Sequence, residues 1–142
     1  MLQIGNRLSV PHFLTCLAIA HSLGGALGDA LETAEQALNF NAEDAYYRPE
    51  TLRVRGELQR KQGNQQLAES DFRDSISMAR GMGAKAWELR TTMSLARLLA
   101  EQDHCDEARI TLAEIYNWFT AGFDTPDLKD ARVLLDELNG GL

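Results

Sequence analysis

The 142-residue chain carries 21 Asp and Glu against 14 Lys and Arg, a formal net charge of −7. That length suits one ordinary domain with its own core and excludes two independent ones, and the sign of the charge argues against a surface built to grip a nucleic-acid duplex. Helix formers dominate, β-branched residues are sparse and only three prolines interrupt, so an all-α fold is expected.

Residues 1–6 show no periodicity and read as a lead-in. A first helix is expected over about 10–22 and a second over about 27–40, joined at Gly24-Gly25, with Asp29 or a neighbour as cap. Leu14, Leu17, Ala18 and His21 share one face of the first, and Ala30, Ala34, Ala37 and Leu38 answer from the second. Asp44 then precedes a helix with Pro49 in or near its first turn, where a missing donor costs little. Leu52, Gly56 and the stem of Gln59 point inward. The turn at Gly63-Asn64 leads to Ala68, Phe72 and Ile76, with Phe72 supplying the bulk that Gly56 lacks.

Gly81 and Gly83 are expected to end that helix. The next starts near Ala84 and carries Trp87, Thr91, Leu95, Ala96, Leu98 and Leu99 up to a polar turn at 103–106. Its partner holds Ala108, Leu112, Ile115, Tyr116 and Phe119, while Trp87 and Trp118 read as core or inter-hairpin wedges. Gly122 reads as a stop, Asp124 or Thr125 as a cap and Pro126 as the first residue of a last helix. Leu128, Ala131, Leu135 and Leu138 form its apolar stripe; Lys129, Asp130, Arg132, Asp136 and Glu137 face water, and Gly140-Gly141 end it.

Three small residues, Ala18, Gly56 and Ala96, fall in mid-helix, and each is followed twelve positions later by an alanine, Ala30, Ala68 and Ala108. A missing side chain on each of two crossing helices lets their backbones approach. The leading small residues are 38 and 40 positions apart, which predicts a stack of helical hairpins. The expected architecture is a single domain over residues 1–142. It is a tetratricopeptide-like, right-handed α-hairpin solenoid with hairpins at about 10–40, 45–80 and 84–120 and a capping helix at about 125–139.

The arrangement resembles tetratricopeptide repeats, with a period longer than the standard ~34 residues. More specifically, Arg48-Pro49-Glu50, Leu52-Arg53, Arg55-Gly56-Glu57-Leu58, Gly83-Ala84-Lys85, Trp87-Glu88-Leu89-Arg90, Ser94-Leu95-Ala96-Arg97-Leu98 and Glu107-Ala108-Arg109 resemble one bacterial group. Tyr116, Trp118-Phe119-Thr120, Gly122-Phe123-Asp124-Thr125 and Asp127-Leu128-Lys129 extend the likeness over residues 46–138. The group is the C-terminal repeat region of large predicted ATPases linked to adenylate or guanylate cyclase or transcriptional-regulator domains. The chain departs from its pattern at Glu114, where proline is usual, and at Asn117, where glycine is usual. The resemblance implies a non-catalytic sensor or scaffold segment of a signalling protein, with the nucleotide chemistry in other domains.

Catalytic patterns are poor. His12, His21 and His104 with Cys16 and Cys105 lack the spacing of a metal site, Gly24, Gly25 and Gly28 lack the lysine and hydroxyl of a phosphate loop, and Asp124, Asp127 and Asp130 suit a helix start better than calcium. No enzyme, cofactor or metal is expected. With two thiols, no secretory leader and no membrane-length apolar run, the cytoplasm is the expected setting, without a membrane or nucleic-acid partner.

Binding expectations rest on the first helix of each hairpin. Arg53, Glu57 and Arg60 share one stripe and Arg90, Met93 and Arg97 the next, together forming a partly basic groove for a protein or peptide, such as an acidic segment or another domain of the parent protein. The bland alternative is a set of solvated charges in which Glu57 ties up Arg53 and Arg60. A lysine-and-asparagine carboxylate clamp is not present, which argues against a chaperone adaptor. A homodimer through apolar surface around Leu8, Phe13 and Leu17 is the second reading, and a small enzyme of unrecognised type the third.

Overall fold

The computed structural model describes residues 9–39, 47–119 and 125–140, with backbone alone for 9–13. These form seven helices: α1 (Ser9–Leu23), α2 (Leu27–Asn39), α3 (Arg48–Lys61), α4 (Gln65–Met82), α5 (Lys85–Glu101), α6 (Cys105–Trp118) and α7 (Pro126–Gly140). No strand occurs among the described residues.

Four of the junctions are built alike. Each closes on one left-handed residue, Gly25 (φ 86°), Gly63 (φ 89°), Gly83 (φ 69°) or Asp103 (φ 65°). The next residue then donates its N–H to the carbonyl five positions back, Ala26 to His21, Asn64 to Gln59, Ala84 to Ala79 and His104 to Leu99, at 2.8–2.9 Å. This satisfies a carbonyl that the ending helix leaves without a partner. Only Gly83 is such a stop at the end of α4, so Gly81 lies inside the helix instead of ending it. Asp29 sits within the first turn of α2, where its charge suits the dipole, and is not the residue before the helix. Thr125 does cap α7: its Oγ1 accepts the Leu128 N–H at 3.3 Å. The expectations on Phe40, Asp44, Gly122 and Asp124 lie outside the described residues.

Each helix packs on the next in the chain, except that α3 also lies against α1 and α5, and α5 against α7. The small residues sit where helices cross: Ala18, Ala30, Ala68, Ala96 and Ala108 are wholly buried. A Cβ placed on Gly56 would stand 2.5 Å from Cε1 of Phe72, a ring with no exposed surface. The core has two parts. Ala18, Ala30, Ala34, Val54 and Leu58 join α1, α2 and α3, and a larger cluster runs from Ala68 and Phe72 through Leu95 and Leu112 to Leu135 and Leu138. Buried hydroxyls stitch the contacts. Thr15 and Thr51 share a hydrogen bond of 2.9 Å between α1 and α3, and Ser75 donates to the Pro49 carbonyl at 2.6 Å while bonding Thr91 at 2.8 Å.

Two apolar assignments need correction. Leu17 does not share the inward face with Ala18; Thr15 and Ala18 take the contact, and the 100° turn per residue carries Leu17 outward. Trp118 is not a core wedge. As the last residue of α6 it is 56% exposed, edge-on to Phe119 at 5.1 Å and beneath the Lys85 ammonium at 5.2 Å. Trp118→Ala should therefore cost less than about 1 kcal/mol, not the several that a buried ring loses. A thermal melt of the variant measures this directly. Trp87, Tyr116 and Phe119 are partly buried, the last two against the larger core.

Candidate functional site

Helix periodicity puts Glu50, Arg53, Glu57 and Arg60 on one stripe of α3 and Arg90, Ser94, Arg97 and Glu101 on one stripe of α5. Because α3 and α5 pack together, the two stripes meet, and three bonds cross between them. Arg90 Nη1 donates to Glu50 Oε2 at 3.3 Å, Ser94 Oγ to Glu57 Oε2 at 2.7 Å, and Arg60 Nη1 to Glu101 Oε2 at 2.6 Å. Within α3, Arg53 holds Glu50 with both arms of its fork at 2.9 and 2.7 Å, and Arg60 holds Glu57 at 3.0–3.1 Å. Asp127 of α7 reaches Arg90 at 3.1 Å.

The face is thus a charge-balanced ladder and not a basic channel. Arg53, Arg60 and Arg90 each face a carboxylate, whereas Arg97 is exposed and has no ion pair among the described residues. Glu57 binds Arg60 and Ser94, but Arg53 turns to Glu50. Burial by itself would lower the Arg53 pKa, yet the bond and charge of Glu50 raise it overall. Met93 leaves the groove altogether: it is buried in the larger core, its position on α5 falling on the inner side of the Arg90–Arg97 stripe.

Three buried carboxylates were not singled out from sequence. Glu50 serves Arg53 and Arg90; Asp71 takes both arms of Arg55 at 2.8 and 2.9 Å; Glu88 holds Arg80 at 2.7 Å. All three are at most 5% exposed. The i, i+3 spacings of Glu50 with Arg53 and of Lys85 with Glu88 were the local signals; Arg55, which holds Asp71, and Arg80, which holds Glu88, sit on other helices.

Beside the ladder, Tyr47 meets Trp87 edge-on at 5.4 Å, and the Arg90 guanidinium lies over that indole at 5.7 Å. Burial, then the nearby Glu50 charge, pushes the Tyr47 phenol up to about 12. The fold therefore favours the neutral phenol. Its contribution is intact below pH 10, the ordinary value, and is lost as pH rises from there through about 12. Melting temperature should fall less steeply over that window in Tyr47→Phe than in the parent chain, a difference that isolates this residue from other alkaline titrations.

Two hollows flank the ladder. One of about 360 Å³ is lined by Arg97, Ala100, Glu101, Cys105, Leu134 and Leu138. The other, of about 290 Å³, lies between α1 and α3 and includes Ile19, Leu23, Val54 and Leu58. No group of three or more His, Cys, Asp or Glu among the described residues is placed to hold a metal ion, and no helix among them is long and apolar enough to cross a membrane. Comparison with protein-family models and with curated proteins returns no match to the chain.

Proposed function

We propose that this chain is a non-catalytic interaction scaffold: three tetratricopeptide-like α-hairpins with α7 as cap, the C-terminal regulatory segment of a bacterial cytoplasmic signalling ATPase or cyclase. The observation that supports it is the packing of α3 on both α1 and α5 in addition to its own neighbours α2 and α4. First helices placed side by side in this way are what a hairpin stack uses to present a continuous recognition face. The family part of the reading rests on the sequence likeness over residues 46–138.

The partner is a protein or peptide with an acidic segment. Arg97 is its first contact, since the other three arginines of the ladder are already engaged with Glu50, Glu57, Glu101 and Asp127. An acidic side chain can then exchange with those carboxylates one at a time, a near-balanced trade that suits reversible regulation. Cofactors, metals and nucleic acid have no part in the proposal, and nucleotide chemistry belongs to other domains.

Titration of an acidic peptide library by fluorescence polarisation tests this. Arg97→Glu, a change at an exposed residue, should weaken the best peptide by at least about tenfold and flatten its salt dependence. Indistinguishable isotherms for parent and variant discard the groove, and ATP or GTP turnover by the purified chain discards the non-catalytic assignment.

A further inference from the structure

Four helices stand side by side, α1 against α3, α3 against α5 and α5 against α7, so the ladder face carries three seams. The middle seam is closed by the bonds of Arg90, Ser94 and Arg60 to Glu50, Glu57 and Glu101. The outer two are open, as the hollow of about 290 Å³ between α1 and α3 and that of about 360 Å³ between α5 and α7. Both lie at one end of the row, because Leu23, Lys61 and Glu101, which border them, are the last residues of α1, α3 and α5.

The two hollows repeat one chemistry. Each has an apolar lining, with Leu23, Val54 and Leu58 in the first and Ala100, Leu134 and Leu138 in the second. Each also has one exposed cation that no carboxylate holds among the described residues: Lys61, which donates to the Ser22 hydroxyl at 3.0 Å, and Arg97. The remaining charges of the first hollow are spent, Arg53 on Glu50 and Glu57 on Arg60 and Ser94. At the second, Glu101 is spent on Arg60, and Glu137 stands exposed on the α7 rim without an ion pair among the described residues.

The matching ligand presents an aliphatic group beside an acid, twice. An amphipathic helix would need a continuous apolar groove, and the polar middle seam interrupts this one. Packed helices lie about 8–10 Å apart, which sets hollows two spacings away from each other at roughly 16–20 Å. Extended chain covers that distance in about five or six residues.

We propose that one extended segment of a partner protein crosses the row, with an acidic-plus-aliphatic unit in each outer seam and the two units about five or six residues apart. This rests on the peptide-binding reading above and gives the partner its spacing. The acids meet Lys61 and Arg97, the aliphatic side chains enter the hollows beside them, and the backbone passes over the closed middle seam. Glu137 repels an acid seated on Arg97 and so limits the affinity of that end.

NMR titration of the full chain with synthetic peptides blocked at both ends tests it. Asp-Leu-Gly-Ser-Gly-Ser-Asp-Leu, whose leucines match the spacing, should bind at least about tenfold tighter than Asp-Leu-Asp-Leu, which is too short to span. Lys61→Glu and Arg97→Glu, both at exposed residues, should each bring the long peptide down to the affinity of the short one. Glu137→Lys should tighten it about threefold or more, a gain that loss of fold cannot imitate. The bound long peptide should also slow alkylation of Cys105, which lines the second hollow. Equal affinity for the two peptides overturns the spanning motif. If Arg97→Glu still weakens both, the peptide-binding reading survives that result; if it changes neither, that reading falls as well. A Lys61→Glu chain that holds the long peptide as tightly as the parent overturns the proposal, as does the absence of binding by either peptide.

Discussion

Gly56→Leu should lower stability by about 3 kcal/mol or more, the upper range for overpacking a core. The first added atom already meets Phe72, with Cε1 at 2.5 Å and Cδ1 at 2.7 Å, and the ring has no exposed edge toward which to turn. Relief must come from moving α4 off α3, which also pulls on the Ser75 bonds to Pro49 and Thr91. Alanine is a better helix former than glycine by about 1 kcal/mol, and Gly81, with nothing within 4 Å of its would-be Cβ, should show that gain as Gly81→Ala. Gly56→Ala should show the opposite sign. Denaturant unfolding of the three variants measures the contrast. Combining Gly56→Leu with Phe72→Ala should cost less than the two changes summed, by about 1 kcal/mol or more, since each makes room for the other.

Glu50→Gln should cost about 2 kcal/mol although it changes no volume. Glu50 is 5% exposed and accepts from Arg53 through both oxygens and from Arg90 through one. An amide has a single acceptor oxygen, so its NH2 must face a guanidinium that can only donate. The variant leaves Arg53 with one neutral acceptor at a nearly buried position, while Arg90 keeps Asp127 as its carboxylate. The matching control is Glu107→Gln: its pair with Arg73 is about half exposed on both sides, and its loss should stay within about 0.5 kcal/mol and shrink further in salt. Parallel chemical denaturation at low and high ionic strength separates the two. An equal loss at both sites would show that the Glu50 ladder is no more than surface charge.

Helices were legible wherever the apolar period ran long between turn residues. Glycine placement located three of the junctions, at Gly25, Gly63 and Gly83. Asp103 does the same work at the fourth without being glycine, a tolerance that carboxylate side chains share to a lesser degree. Gly81 misled because a glycine with no positive φ is simply a helical residue. Trp118 misled for a different reason: it has the right period but, as the last residue of α6, stays 56% exposed. Of the six proposed groove residues, five do lie on facing stripes, because i, i+3/i+4, i+7 spacing is a local property of the helix. Whether those charges were available was not local. Glu50 and Glu101 meet Arg90 and Arg60 only because α3 and α5 are packed at one particular register.

The amino-acid order alone determined that the chain is helical, where small residues let helices cross, and that Phe72 fills the gap at Gly56, since each follows from period and volume. Tertiary structure decided the sign of the surface. Arg53 and Arg60 find a carboxylate three residues away, but pairing Arg90 with Glu50 and Arg60 with Glu101 takes a partner brought from about 40 positions away, a distance closed by packing that no local pattern encodes.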